Sequence, residues 1–417
     1  MQHIIIGAGP AGVVAAETLR KYDADASITI IGDESEPPYS RMAIPYYLAN
    51  NIGEEGSYLR DPKAHYSEQN IELVQQRVDK VDVNKKQVTL ADGSSRDYDK
   101  LLLATGSSPI SPPIPGLDLP QVHSCWTLED ARNIIELAQP GANVVLIGAG
   151  FIGCIILESL VKRGIKLSVV ETGNRMVPRM LNDKAGGLLE KWCIDKGIDV
   201  HTSCSVESVK AANNNEVEVS LSDGSKLPAA LVITATGVKP NVAMLEGTDI
   251  KLDIGILVNH SMQTSNDDIY AAGDVAQGID FSTGNFEVQA IQPTATDHGR
   301  IAALNMSGNT NEHHGTLNMN VLDTVGLVSC SFGLWMGVDG GEQAELYNPD
   351  EFQYINLQFD GDCLVGASTV GKTQHIGVLR GLIESRIKLG EWKERLIKDP
   401  TAIMEAYLAC TQELGYA

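Results

Sequence analysis

The chain carries one pattern twice, and that pattern leaves few folds open to it. Residues 3–6, His-Ile-Ile-Ile, form a short apolar run that enters Gly7-Ala8-Gly9-Pro10-Ala11-Gly12 and then a helical stretch over 13–21. Residues 143–147 form a second such run, followed by Gly148-Ala149-Gly150-Phe151-Ile152-Gly153 and a helix to about 163. Each helix leads to another apolar strand, at 27–31 and at 166–170. An acid closes each copy: Asp33, followed by Glu34, in the first and Glu171 in the second.

Strand, G-x-G-x-x-G, helix, strand and acid, in that order, is the Rossmann dinucleotide-binding fingerprint in its confirming context. A lone glycine motif carries little weight, whereas two complete copies carry a great deal. A further duplication agrees. Residues 98–106 and 230–237 are both apolar strands ending in Ala-Thr-Gly: Ala104, Thr105, Gly106 and Ala235, Thr236, Gly237. An acid–glycine turn, Asp92-Gly93 or Asp223-Gly224, precedes each, so each nucleotide fold should close with a β-meander and a return strand. Tyr270-Ala271-Ala272-Gly273-Asp274 follows later.

The expected fold class is α/β. A first domain at 1–115 and 241–311 is interrupted by a second at 116–240, and an α+β domain fills 312–417. The proline-rich segment 108–120 reads as the boundary. Strands at 352–359 and 363–367, then helices from about 374, are expected in the last domain.

Composition narrows the partners. With 54 acidic against 32 basic residues the net charge is −22, which argues against nucleic acid or an anionic membrane surface. The stretch 144–157 is apolar but short and broken by Gly148, Gly150 and Gly153, so no membrane span is expected. The amino terminus lacks a basic region and a cleavage site and does not read as a signal peptide. The seven cysteines are scattered, with no C-x-x-C pair and no metal-ligand spacing. Buried thiols in a reducing, cytoplasmic compartment and no metal site are the expectation.

The five motifs together, in this order, resemble the pyridine-nucleotide–disulfide oxidoreductase superfamily. It includes ferredoxin and rubredoxin reductases, NADH oxidases, coenzyme A disulfide reductases and the flavin module of assimilatory nitrite reductase. The resemblance covers about 310 residues; the last hundred match more loosely, where such proteins carry an interface domain that supports dimers. It implies FAD in the first domain. There Gly7, Gly9, Pro10, Ala11 and Gly12 would hold the pyrophosphate over a helix N-terminus. Asp33 and Glu34 would serve the adenosine ribose, and Gly273 and Asp274 the ribityl and phosphate region. Arg41, Met42, Tyr46, Val78, Ala104, Thr105, Gly106 and Thr294 complete the implied FAD-contacting set. The helix starting near Pro293 and Thr294 would face the flavin pyrimidine. The second domain would hold NAD through Gly148, Gly150, Phe151, Ile152, Gly153, Glu171 and Gly237. A carboxylate at Glu171 suits ribose hydroxyls and repels a 2′-phosphate, which favours NADH, although Arg175 and Arg179 lie close by in sequence.

Two departures narrow the chemistry. Thiol-dependent relatives place cysteine in a pattern like Y-S-x-C-G-L-P-Y. Here Tyr39-Ser40-Arg41-Met42-Ala43-Ile44-Pro45-Tyr46 has Met42 at that position. A thioether forms no thiolate, so disulfide and persulfide reduction by the usual route is not expected. The ferredoxin-reductase branch also pairs a lysine in this segment with a glutamate on the NAD-domain helix, and Tyr46 and Ile155 stand at those positions. No side chain reads as an obligatory acid or base, so no catalytic residue is assigned, and His298 is read as structural. His313-His314 has no third ligand in sight.

The leading reading is an NADH-dependent reductase that passes electrons to an iron–sulfur protein of the ferredoxin or rubredoxin type. An NADH oxidase or small-molecule (oxygen, peroxide, quinone) reductase is the second, and a flavin-bound regulatory protein the third. Residues 372–398 hold seven basic residues against three acids. The spacing of Ile376, Leu379, Ile383 and Ile387 predicts a helix with Arg380, Glu384 and Lys388 as a ladder on its outer face. That face is a candidate docking patch, and a homodimer is expected.

Overall fold

A computed structural model of the chain describes residues 1–414. The chain divides into two compact units. The first comprises Met1–Ile110, Trp126–Leu128 and Val238–Thr316; the second comprises Ser111–Cys125, Glu129–Gly237 and, of the described residues, 317–414.

In the first unit five parallel strands form the central sheet, in the order Ile269–Ala271, Lys100–Leu103, Gln2–Ile6, Ser27–Gly32, Ile71–Gln75. Ile4, Ile5, Ile30, Ile31, Leu101 and Leu102 are all buried. Strands covered on both faces read as continuous apolar runs, which is why they are legible in sequence. The helices Pro10–Tyr22 and Gln292–Met306 pack together so tightly that a β-carbon on Gly299 would lie 2.3 Å from the Ala11 carbonyl oxygen. The anticipated meander is the antiparallel sheet Val78–Asp82, Gln87–Leu90, Ser95–Asp97, with Gly93 at φ +85° in a turn.

The second unit repeats this plan. Its parallel sheet runs Asp199–His201, Lys166–Val170, Asn143–Ile147, Leu231–Thr234, Val122–Ser124. A meander of Val206–Ala211, Val217–Leu221 and Lys226–Ala229 accompanies it. The segment Ser111–Cys125 belongs here, its Pro115 and Gly116 seated on that meander. The Val209 N–H donates to the Pro115 oxygen at 2.8 Å, and a β-carbon on Gly116 would lie 1.8 Å from the Val209 oxygen.

The C-terminal segment builds a five-stranded antiparallel sheet in the order Met319–Thr324, Leu327–Gly333, Cys363–Val370, Gln353–Asp360, Glu342–Asn348. It clusters with the second nucleotide fold. Trp192 Nε1 donates to the Val325 oxygen at 3.1 Å, and Asn182 Nδ2 donates to the Tyr354 hydroxyl at 2.7 Å.

The expected outer ladder on 372–398 is only half formed. The helix Ile376–Ser385 stops where Arg386 turns left-handed at φ +51°, so Ile387 and Lys388 lie beyond it. Arg380 Nε meets Glu384 Oε1 at 2.9 Å, while the backbone of Lys388 forms an antiparallel β-bridge with the strand residue Cys363. Lys393 is paired with Glu342 and largely covered. No helix among the described residues is long and apolar enough to cross a membrane.

Candidate functional site: two glycine turns

The two G-x-G-x-x-G segments have the same construction. In the first, Gly7 sits at φ +118°, and a β-carbon there would lie 2.0 Å from the Ala104 oxygen. A β-carbon on Gly12 would lie 2.0 Å from the Gly7 oxygen. In the second turn Gly148 has φ +101° and would meet the Ala235 oxygen at 2.5 Å, and Gly153 would meet the Gly148 oxygen at 2.1 Å. The repeated Ala-Thr-Gly motifs thus have a physical cause. Each return strand brings its alanine carbonyl against the first glycine, and only hydrogen fits between them.

The middle glycines behave differently. Nothing lies within 4 Å of a β-carbon built on Gly9 or on Gly150. Both precede a helix whose N-terminus has no side-chain cap and no acid in its first turn. Helix N-termini leave backbone N–H groups unsatisfied and carry partial positive charge. An open concavity in front of such groups fits a pyrophosphate, which is the cradle that dinucleotides need.

Around the first turn, Gly273 (φ +76°) would bring a β-carbon 3.4 Å from both Ala11 Cβ and Ala295 Cβ. Asp274 therefore sits where the starts of two helices meet. Burial raises its carboxyl above the usual range, while the Ser107 hydroxyl, donating at 2.8 Å, and the Arg41 charge pull it down. Ser40 Oγ donates to Gln292 Oε1 at 2.5 Å at the head of the helix Gln292–Met306. Thr294 in that helix and Val78 at the start of its strand are both buried.

The other expected residues of the first domain differ in their exposure. Asp33 is exposed; the half-buried acid is Glu34, whose Oε1 accepts from Arg41 Nη2 at 2.7 Å. The Tyr39 hydroxyl also donates to Glu34, and burial raises this phenol well above its ordinary range. Arg41 Nη1 donates to the Trp126 oxygen at 2.6 Å, with its guanidinium over the Trp126 ring at 5.4 Å. Sequence reasoning missed Glu34, Tyr39 and Trp126 as one cluster, because Trp126 lies outside the segment from which the first domain was read. Met42 and Tyr46 are exposed, at 46% and 58%.

At the second turn the acids of the two copies are not in equivalent register. Ile6 pairs with Ile31 and Ile147 with Val170, so Glu171 corresponds to Gly32 and not to Asp33. Glu171 is buried, and its Oε2 and Oε1 accept the N–H groups of Ala149 and Gly173, both at 2.7 Å. Arg175 is committed to its own loop: Nε donates to the Leu181 oxygen at 2.8 Å and Nη1 meets Asp183 Oδ1 at 2.7 Å. Arg179 is exposed. Phe151 and Ile152 are half-buried at the helix start, and Gly237 adopts φ +108°. Among the described residues no group of three or more His, Cys, Asp or Glu is placed to hold a metal.

Two pyrophosphate cradles on two parallel sheets, each shaped for a dinucleotide, define a two-dinucleotide oxidoreductase. The family described as "Pyridine nucleotide-disulphide oxidoreductase" matches residues 1–297, and the chain belongs to it. It is an oxidoreductase that works with FAD and a nicotinamide nucleotide. The chain is 30% identical over 405 residues to the NADH-dependent phenylglyoxylate dehydrogenase subunit epsilon of Aromatoleum evansii, covering 96% of each. It is 34% identical over 330 residues to an NADH oxidase of Methanocaldococcus jannaschii, covering 77% of this chain and 73% of the relative. Among solved structures it is similar to the covalent putidaredoxin reductase–putidaredoxin complex, with TM-score 0.90 and 26% identity over 98% of this chain and 99% of the other.

Proposed function

We propose that the chain is a cytoplasmic NADH-dependent flavoprotein reductase that passes electrons to an iron–sulfur protein. The observation that carries this reading is the pair of open, uncapped glycine turns combined with a segment 39–46 that contains no cysteine. FAD supplies the step between the two-electron hydride of NADH and the single electrons that an iron–sulfur centre accepts.

The first turn, with Gly7, Gly9 and Gly12, holds the FAD pyrophosphate against the N–H groups that open the helix Pro10–Tyr22. Glu34 and Asp33 lie toward the adenosine end, and Asp274 lies toward the ribityl end. The second turn, with Gly148, Gly150 and Gly153, holds NADH. The buried carboxylate of Glu171 beside it disfavours a 2′-phosphate, and four of the five N–H donors of Arg175 are already engaged within its own loop. The protein contributes position and electrostatics and no proton-transfer group.

Thiol chemistry is disfavoured by the cysteines themselves. Six of the seven are buried, and burial pushes the thiols of Cys125 and Cys193 up to about 12. All seven are free, which suits a reducing compartment. The similarity to the putidaredoxin reductase of a covalent electron-transfer complex supports an iron–sulfur partner. The match to a dehydrogenase subunit over 96% of both chains adds that a chain of this kind can work as one subunit of an NADH-dependent dehydrogenase. We also propose a homodimer built on the C-terminal domain.

The deciding measurement is anaerobic stopped-flow reduction. NADH should bleach the bound flavin at about hundredfold lower concentration than NADPH, with no long-wavelength thiolate band. Flavin that neither nucleotide reduces would overturn the reading. A second reading, an NADH oxidase, is favoured by the Methanocaldococcus jannaschii relative; oxygen consumption as fast as ferricyanide reduction would select it.

The docking patch keeps the exposed Arg386, Lys388, Arg395 and Lys398 and loses Lys393, which is held by Glu342. Reversing Lys388 and Lys398 to glutamate should raise KM for an iron–sulfur acceptor about fivefold and leave ferricyanide reduction unchanged. Equal losses with both acceptors would discard the patch.

A further inference from the structure

The first return strand carries a hydroxyl that its duplicate lacks. Each nucleotide fold ends in Ala-Thr-Gly, but the residue that follows is Ser107 in one copy and Val238 in the other. The shared backbone construction therefore does not require a hydroxyl at this point. Ser107 is 5% exposed, and its Oγ donates to Asp274 Oδ2 at 2.8 Å, across 167 residues of chain. A buried hydroxyl is costly to leave unpaired, and a bond to an ionised acceptor contributes more than one between neutral groups.

The strand that presents this hydroxyl is held in place by several contacts. Ser107–Pro109 pairs antiparallel with Val238–Pro240. Asn241 clasps the same segment: its backbone N–H donates to the Gly106 oxygen at 3.0 Å, its Nδ2 donates to the Thr105 oxygen at 2.9 Å, and its Oδ1 accepts from Ser108 Oγ at 2.8 Å. Thr105 Oγ1 donates to the Asn241 oxygen at 2.8 Å. The Ser107 oxygen itself accepts from Trp126 Nε1 at 2.9 Å.

Asp274 is equally constrained, because it follows Gly273 in a left-handed φ of +76°. The helices that start beside it, Pro10–Tyr22 and Gln292–Met306, bring no acid in their first turns. Arg41 is the charged neighbour whose field reaches the carboxyl, and that guanidinium is shared with Glu34 and Tyr39. Burial pushes the carboxyl up, and the Ser107 hydroxyl does most to hold it down, ahead of Arg41.

Resting on the reading that FAD occupies the first turn with its ribityl chain toward Asp274, we propose that Ser107 is a positioning residue for that carboxylate. Its hydroxyl ties down Oδ2 and leaves Oδ1 turned toward the ribityl hydroxyls. The strand that leads out toward the second nucleotide fold thereby also builds the flavin site. A carboxylate accepts with both oxygens only while ionised, so flavin is held more tightly above the pH at which Asp274 takes a proton than below it. Ser107 favours the charged form, and its loss moves that pH upward.

Release of flavin from the purified holoprotein tests this without turnover. The fluorescence of freed FAD on serial dilution gives Kd at each pH between about 4 and 8, and circular dichroism at each pH confines the comparison to folded protein. Ser107→Ala is expected to raise Kd about tenfold at neutral pH, with release on acidification beginning at a higher pH than in the parent. Asp274→Asn should also raise Kd about tenfold. In the Asp274→Asn background, Ser107→Ala should add less than about twofold and leave the pH dependence where it is. Ser107→Cys keeps the volume with only a weak S–H donor. It should fall between the parent and the alanine variant on both readouts, which keeps the cycle measurable should Ser107→Ala shed its flavin outright. A tenfold loss repeated in full in the Asp274→Asn background would overturn the proposal, because the hydroxyl would then act through the strand and not through the carboxylate. If Asp274→Asn weakens FAD while Ser107→Ala changes neither Kd nor its pH dependence, only the positioning role fails. Parental affinity in Asp274→Asn would instead remove the ribityl chain from Asp274, and the reading beneath the proposal would fall with it.

Discussion

Gly9→Val is expected to give a folded protein that has lost its FAD. Gly9 has φ −79° and ψ −175°, an extended conformation open to any residue, and a β-carbon there meets nothing within 4 Å. The fold therefore has no quarrel with a side chain at this position. The ligand does, because a valine would fill open space in front of the N–H groups that open the helix. Losing that approach should weaken FAD by about 4 kcal/mol, roughly a thousandfold. Gly12→Ala should fail in the opposite way. Its β-carbon would lie 2.0 Å from the Gly7 oxygen, and the turn must be forced apart at a cost of about 3 kcal/mol. Thermal melts and the visible absorbance of the purified variants separate the two. Flavin retained by Gly9→Val would remove FAD from the first turn. A Gly12→Ala variant as stable as the parent would mean that the helix can shift away from the strand.

The second large effect is on acid stability. His298 is buried, neither ring nitrogen has a hydrogen-bond partner, and its ring stands edge-on to His313 at 4.7 Å. Burial, followed by repulsion from His313, lowers its pKa to about 3. The unfolded chain binds a proton there below about pH 6.5, whereas the folded chain does so only near the depressed value. Between the two the unfolded state binds more protons, so stability falls as pH falls. The full effect is on the order of 4 kcal/mol at the acid end of that window. His313 and His3 are lowered by burial as well and act with the same sign. Asp268, held low by Lys100 and Lys86, loses its contribution only below the ordinary carboxylate range, so the two effects occupy different pH windows. His298→Leu should flatten urea stability between about pH 6 and pH 4. An unchanged slope there would transfer the acid sensitivity to other groups.

Much of the site is legible in the amino-acid sequence. Gly7, Gly12, Gly148 and Gly153 are required by local backbone geometry, and local requirements leave a mark on sequence. The apolar runs of the parallel sheets are readable for the same reason, since each strand is covered on both faces. The repeated Ala-Thr-Gly is visible, but its cause is not: it lies in a return strand far along the chain that closes on the first glycine. The ladder expected at Arg380, Glu384 and Lys388 fails because helical spacing in a sequence does not show where a helix stops. Arg386 in the left-handed region ends it.

The acids and arginines mark the limit of what sequence conveys. Asp33 and Glu34 are neighbours, and no pattern tells which one turns inward to meet Arg41 and Tyr39. Glu171 and Asp33 look equivalent, yet strand register sets Glu171 against Gly32. Arg175 looks available to a phosphate, yet four of its five donors are engaged by Leu181, Asn174, Asp183 and Pro178. By itself the sequence determined two dinucleotide-binding folds, their glycine turns and the absence of a cysteine at Met42, because each is a property of a short stretch of chain. Only the tertiary structure decided which charged groups face the turns and what they already hold, because those partners lie on separate segments that meet only when the sheets and helices pack.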